Sequence, residues 1–258
     1  MSRGHVRRLA LWVIPLAFVG FFFAYPVVTI LARGGVARVD DVFTDTSLRN
    51  IVWFTLWQAA VSTLLTLVIA LPAAYVMARL RFRGAGSFGT AVFITYLVPP
   101  TLLFLPLSQV VVWLGLADSI TALMVTYPTF LVPFCTWLLM GYFRTIPREV
   151  EECALVDGAT RMQTLRRVVL PMAVPGIICA VLFSFTLCWN EFTYALTFIS
   201  QSAHKTAVVG VTSDLIRGDI YFWGSLMAGA LIASIPIVII YVLFLDYYVS
   251  GLTAGAIK

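Results

Sequence analysis

The feature that most constrains this chain is a succession of six long apolar runs, at residues 9–32, 51–78, 87–114, 119–143, 172–198 and 224–249. Each reaches or exceeds the roughly 20 apolar residues that carry a helix across a bilayer. The runs and their short connections use up all 258 residues, so the chain reads as a single all-α transmembrane domain, 1–258, with no room for a second, water-soluble one. Composition points the same way: 11% of the residues are charged, against about 25% in an ordinary soluble domain. The first run follows Arg3, Arg7 and Arg8, as a signal peptide would. It is longer than the roughly 7–15 residues of a signal core and no A-x-A site follows, so a retained anchor is expected.

The net charge of +5 reads as orientation rather than as a nucleic-acid footprint, because the basic residues cluster between the apolar runs. With the N-terminus in the cytoplasm, twelve Lys and Arg lie inside: Arg3, Arg7, Arg8, Arg79, Arg81, Arg83, Arg144, Arg148, Arg161, Arg166, Arg167 and Lys258. Five lie outside: Arg33, Arg38, Arg49, Lys205 and Arg217. The bias holds over short loops, where it is most informative, and places both termini in the cytoplasm. Prolines at 72, 99, 100, 106, 128, 133, 175 and 236 punctuate the runs. They suit either a kinked bundle around a cavity or packing geometry alone. Cys135, Cys153, Cys179 and Cys188 show neither metal-ligand spacing nor a disulfide framework. With His5 and His204 the only histidines, no metal site is expected.

Residues 144–171 form the most charged stretch. Within it, Pro147 suits a first helical position, Glu149, Glu151 and Glu152 lie near the positive end of a helix dipole, and Gly158 suits a left-handed stop. Thr160 then caps a second short helix that leads to Leu170-Pro171. Val150, Ala154 and Leu155 give the first helix a small apolar face. An interfacial connector on an anionic leaflet would show Lys and Arg on its polar face. Here the polar face is acidic, which better suits a helix that docks into a groove of another protein. Glu151 alone also reads as a solvated position.

The string Glu152-Cys153-Ala154, three residues, Gly158, nine residues and Val168-Val169-Leu170-Pro171 resembles the E-A-A, x3, G, x9, I-x-L-P loop of permease subunits in binding-protein-dependent ABC importers. Asp157-Gly158-Ala159-Thr160, Trp189-Asn190-Glu191-Phe192 and the tail from Gly251 to Lys258 are similar to the MalG-like subunits of the maltose-type, carbohydrate-uptake branch. The likeness runs from about residue 50 to the end. Cys153 stands where the family has alanine and Val168 where it has isoleucine.

The resemblance implies that Glu151, Glu152, Cys153, Ala154, Asp157, Gly158 and Pro171 belong to a coupling helix and its supports, seated on a cytoplasmic ATPase. It implies that the tail residues Gly251, Leu252, Thr253, Ala254 and Gly255 reach between two ATPase subunits, although such a tail taken alone reads as a frayed terminus. It further implies a heterodimer with a second permease, an extracytoplasmic solute-binding protein docking on segment 199–223, and a sugar or oligosaccharide substrate. The location implied is the cytoplasmic membrane of a bacterium or archaeon. The first outer segment, 33–50, is short for a sugar permease, which keeps thiamine, a polyamine or a metal chelate open as the solute. Trp189, Asn190 and Glu191 suit either the substrate path or interfacial anchoring.

No cofactor is expected on the chain itself. A phosphate-binding loop needs glycine before lysine in G-x-x-x-x-G-K-[ST], and neither Lys205 nor Lys258 follows one, so ATP and Mg are expected on the partner ATPase. An intramembrane enzyme would need paired catalytic groups within the spans.

Overall fold

The computed structural model describes residues 12–13, 15–30, 32, 46–80, 83–200, 205–217, 220–221 and 223–253. These form α1 (Pro15–Ile30), α2 (Thr46–Arg79), α3 (Ala85–Tyr96), α4 (Pro100–Trp113), α5 (Ile120–Thr145), α6 (Arg148–Val156), α7 (Arg161–Met172), α8 (Val174–Asn190), α9 (Thr193–Phe198), α10 (Ala207–Leu215) and α11 (Trp223–Thr253). The only β structure among the described residues is a two-stranded antiparallel ladder, β1 (Ile216–Arg217) with β2 (Ile220–Tyr221).

The bundle is organised around α2. Ala59, Ser62, Thr66, Ala70, Ala74 and Ala78 recur along one of its faces and are buried. In lipid, small residues at such spacing let helix backbones approach closely, since no hydrophobic gain separates one apolar face from another. Along this stripe α5 packs, with α8 beside both. Two buried clusters result. One gathers Ile51, Leu123, Tyr127, Leu131, Phe185 and Trp189. The other gathers Ala70, Ala74, Leu139, Met140, Phe143, Ile146 and Val169, next to α6. Gly176 permits the close crossing of α8 on α5: a Cβ there would fall on the Tyr142 ring.

The outward faces are apolar. Trp53, Leu64 and Val68 on α2 and Val238, Val242 and Leu243 on α11 are all more than half exposed. A girdle of that extent is stable against hydrocarbon rather than water. Among the described residues three helices, Arg49–Arg79, Ile120–Thr145 and Trp223–Tyr247, are long and apolar enough to cross a membrane, and up to five crossings result if each of two bent pairs counts as one.

Two of the apolar runs are bent far beyond a kink. Run 87–114 is two helices, α3 and α4, meeting at 91°. The Pro99-Pro100 pair explains the break: a residue before proline is pushed out of the helical region, and Pro99 is extended at ψ 126° while Pro100 opens the new helix. Run 172–198 is broken twice, at Ala173, where α7 and α8 meet at 76°, and at Glu191-Phe192 between α8 and α9. Within 199–223, α10 folds back onto α2, where the Ala207 N–H donates to Thr55 Oγ1 at 2.7 Å. The last helix runs to Thr253, so Gly251, Leu252 and Thr253 continue it instead of fraying; Ala254 and Gly255 lie outside the described residues.

Candidate functional site

At one end of the bundle, α6 begins after Pro147, which lies just before the first turn rather than in it. Its end is a Schellman turn. Gly158 adopts φ 87°, its N–H donates to Leu155 O at 3.1 Å, and the Ala159 N–H donates to Ala154 O at 3.0 Å. Those bonds satisfy carbonyls that a helix end otherwise leaves open. The space where a Gly158 Cβ would stand is empty to 4 Å, so the glycine answers to backbone conformation and not to crowding. The next helix starts on a capping box: Gln163 N–H donates to Thr160 Oγ1 at 3.3 Å and the Thr160 N–H donates to Gln163 Oε1 at 2.8 Å.

The two faces of α6 differ from the simple pattern of an apolar ridge beside three equivalent carboxylates. Glu151 is buried, whereas Glu149, Glu152, Cys153 and Asp157 are exposed around a shallow hollow that includes Val156. Val156 is 87% exposed, an apolar side chain presented outward among carboxylates. Ala154 is half-buried and Leu155 is exposed. Pro171 is exposed on α7, within a helical stretch that carries a π-turn over Leu165–Val169.

Glu151 is therefore not a solvated position. Its carboxylate pairs with the Arg79 guanidinium at 2.5 Å and accepts from the Tyr75 hydroxyl at 3.1 Å. Arg79 also donates from Nη2 to Ile146 O at 2.8 Å. Sequence reasoning counted Arg79 only as an orientation charge and passed over Tyr75. The signal available was their spacing: positions 75 and 79 lie one turn apart on one helix face, with a polar ring and a cation at the inner end of an apolar run.

The Trp189, Asn190 and Glu191 group is placed differently from a lining of free side chains. Trp189 is 1% exposed, stacks on Phe185 and donates its indole N–H to Ala233 O at 3.0 Å. Its ring is packed in the core, and Trp189 also borders a cavity of about 370 Å³ between α8, α10 and α11. The Glu191 carboxylate caps α9, accepting from the backbone N–H of Tyr194 at 2.9 Å and of Ala195 at 3.0 Å, and also from the Tyr127 hydroxyl at 3.0 Å. The Tyr194 hydroxyl in turn reaches Pro100 O at 2.8 Å, joining the α8–α9 break to the α3–α4 break. Asn190 is exposed and donates to Thr186 O at 2.9 Å. It borders the same cavity as Trp189.

Cys135, Cys179 and Cys188 are buried and Cys153 is exposed, all as free thiols. Among the described residues no group of three or more His, Cys, Asp or Glu side chains comes together to hold a metal.

A helical bundle with an apolar girdle, two sharply broken helices and an acidic helix held across one end defines a membrane-embedded protein. The chain belongs to the family described as binding-protein-dependent transport system inner membrane component, whose model matches residues 70–253. It is 36% identical over 201 residues to the trehalose/maltose transport system permease protein MalG of Thermococcus litoralis, covering 78% of this chain and 72% of that one. It is 34% identical over 223 residues to the sulfoquinovosyl glycerol transport system permease protein SmoH of Agrobacterium fabrum, covering 86% of this chain and 78% of that one. Among solved structures, a chain of a bacterial ABC transporter involved in the import of the acidic polysaccharide alginate superposes with a TM-score of 0.76 at 20% identity, over 96% of this chain and 99% of that one. The fold is therefore that of an ABC importer permease.

Proposed function

We propose that this chain is one of two permease subunits of an ABC importer for a sugar or oligosaccharide, with both termini in the cytoplasm and six membrane crossings. The six are α1, α2, the α3–α4 pair, α5, the α7–α8 pair with α9, and α11. The reading rests above all on α6. Its exposed face of Glu149, Glu152, Cys153, Val156 and Asp157 matches the position of the coupling motif. An acidic rim around a protruding valine suits a basic-edged groove on a partner, where the charges set register and the apolar side chain fills a pocket. That partner is an ATPase, two copies of which bind the ATP and Mg that this chain does not. The tail residues Gly251, Leu252, Thr253, Ala254 and Gly255, the first three of them the end of α11, contact the same partners.

The sugar assignment is supported by relatives named for trehalose, maltose and sulfoquinovosyl glycerol transport. An extracytoplasmic binding protein delivers the solute to the opposite end, where α9, α10 and the β1–β2 ladder lie. Reconstitution in vesicles with the partner permease, ATPase and binding protein tests this directly. ATP-dependent uptake of a labelled disaccharide or oligosaccharide is expected. Uptake restricted to thiamine, a polyamine or a metal chelate would overturn the sugar assignment while leaving the importer assignment standing.

A further inference from the structure

The Arg79–Glu151 pair does more than fix one helix on another. It is one of the most enclosed charged contacts described, its side chains 6% and 12% exposed, in a chain with few charges to bury. Removing charges from water is expensive and a well-packed apolar pair would hold two helices equally well, so such a pair is weak evidence for stability alone. What it supplies is a fixed geometry. The planar guanidinium joins two elements: Nη2 donates to the Ile146 carbonyl that ends α5, and Nε stands in ion-pair contact with the Glu151 carboxylate on α6. Tyr75, one turn earlier on α2, holds the second carboxylate oxygen. Its ring meets Phe143 of α5 edge-on at 6.0 Å. Three helices thus meet at one joint, directly beneath the alanine stripe on which α2 and α5 are packed.

The other connections of this region contrast with it. On its far side α6 passes through the Gly158 turn into α7, and α7 meets α8 at a 76° bend. Bends at such breaks are where a chain absorbs changes of φ and ψ. A displacement of α6 therefore reaches α2 and α5 directly, and reaches α8 only through α7 and across that bend.

We propose that Arg79, Glu151 and Tyr75 form a latch that makes α6, α2 and α5 move as one lever, so that force applied to α6 enters the bundle through α2 and α5 and not through α7 and α8. The three are positioning residues: they touch no solute and no nucleotide. The inference rests on the reading of α6 as the element that meets the ATPase.

The test uses the complete complex in vesicles, spin-labelled at the exposed native Cys153 on α6 and at Leu64→Cys on the exposed face of α2. With the latch intact, one narrow distance distribution is expected, unchanged between the nucleotide-free and ATP-bound states. Arg79→Gln should broaden it and lower the solute transported per ATP by about fivefold or more, the scale of a modest coupling loss. Arg79→Lys, which keeps the charge without the fork, and Tyr75→Phe, which keeps the ion pair, should fall between. A label distance that shifts with nucleotide in the unaltered protein overturns the proposal. So does an unchanged distribution and transport ratio in Arg79→Gln, or, if that variant does not assemble, wild-type values in both conservative variants. Failure of the underlying reading looks different: the Cys153 label would then be equally mobile with and without the ATPase bound.

Discussion

Replacing Gly158 separates a conformational requirement from a steric one. At φ 87° the residue sits in the left-handed region, where an L-residue with a Cβ costs about 1–2 kcal/mol. No atom stands within 4 Å of the Cβ position, so Gly158→Ala meets no clash within the chain and the penalty is the backbone term alone. A penalty of that size lowers the population of the native turn relative to alternatives by about 5- to 30-fold. Gly158→Asn serves as the control, because asparagine is several-fold enriched in this region. Circular dichroism and thermal unfolding of the purified chain, with proteolysis at the α6–α7 turn, should rank the variants glycine, asparagine, alanine in falling order. Gly158→Asp tolerates the same backbone and adds a carboxylate to an already acidic surface. In the assembled complex it should keep the protein in the membrane yet lower uptake relative to ATP hydrolysis, beyond the loss in the asparagine variant. Alanine and asparagine variants of equal stability would refute the backbone argument, and unchanged uptake in the aspartate variant would refute the contact argument.

Other substitutions check the remaining joints. Gly176→Ala drives a methyl group into the Tyr142 ring and should destabilise by about 1–3 kcal/mol, as overpacking does; thermal unfolding should show partial recovery in Gly176→Ala combined with Tyr142→Ala. Thr160→Ala removes the capping box and should lower stability by about 1 kcal/mol without changing solute preference. Glu191→Ala leaves the Tyr127 hydroxyl and two backbone N–H groups without their acceptor; a loss of about 1.5–3 kcal/mol is expected in unfolding assays, and Glu191→Gln should recover part of it. Trp189→Phe keeps the stack on Phe185 but loses the bond to Ala233 O. Its effect should be about 0.5–1.5 kcal/mol on stability, with the uptake KM unchanged if the residue is structural, and a raised KM would place Trp189 on the solute path.

The long helices were legible because a bilayer leaves a chain little choice: apolar length alone marks α2, α5 and α11. The turn at Gly158 and the cap at Thr160 were legible as well, since local backbone chemistry decides them. What hydropathy could not register was direction. An apolar run of 28 residues from 87 to 114 looks the same straight or bent through a right angle, and only the adjacent Pro99 and Pro100 carried the information. Likewise α10 hides in a segment of mixed polarity, because what orders it is a contact with Thr55, more than a hundred positions earlier. The largest gap concerned pairing. Glu151 and Glu152 are neighbours with the same side chain, yet one is buried against Arg79 and the other exposed, a difference that depends on where α2 ends relative to α6. Trp189 and Glu191 drew attention as polar features of an apolar run, and the structure spends them on a core hydrogen bond and a helix cap.

The central claim is that α6 is seated on an ATPase. Cys153 is the exposed cysteine on that helix and the other three are buried, which makes it a native reporter that needs no substitution. A thiol-directed cross-linker applied to the assembled transporter in vesicles should join Cys153 to the ATPase subunit, with the yield changing when ATP binds. A transporter that imports its solute while Cys153 stays open to labelling and forms no adduct with the ATPase in any nucleotide state would contradict the account.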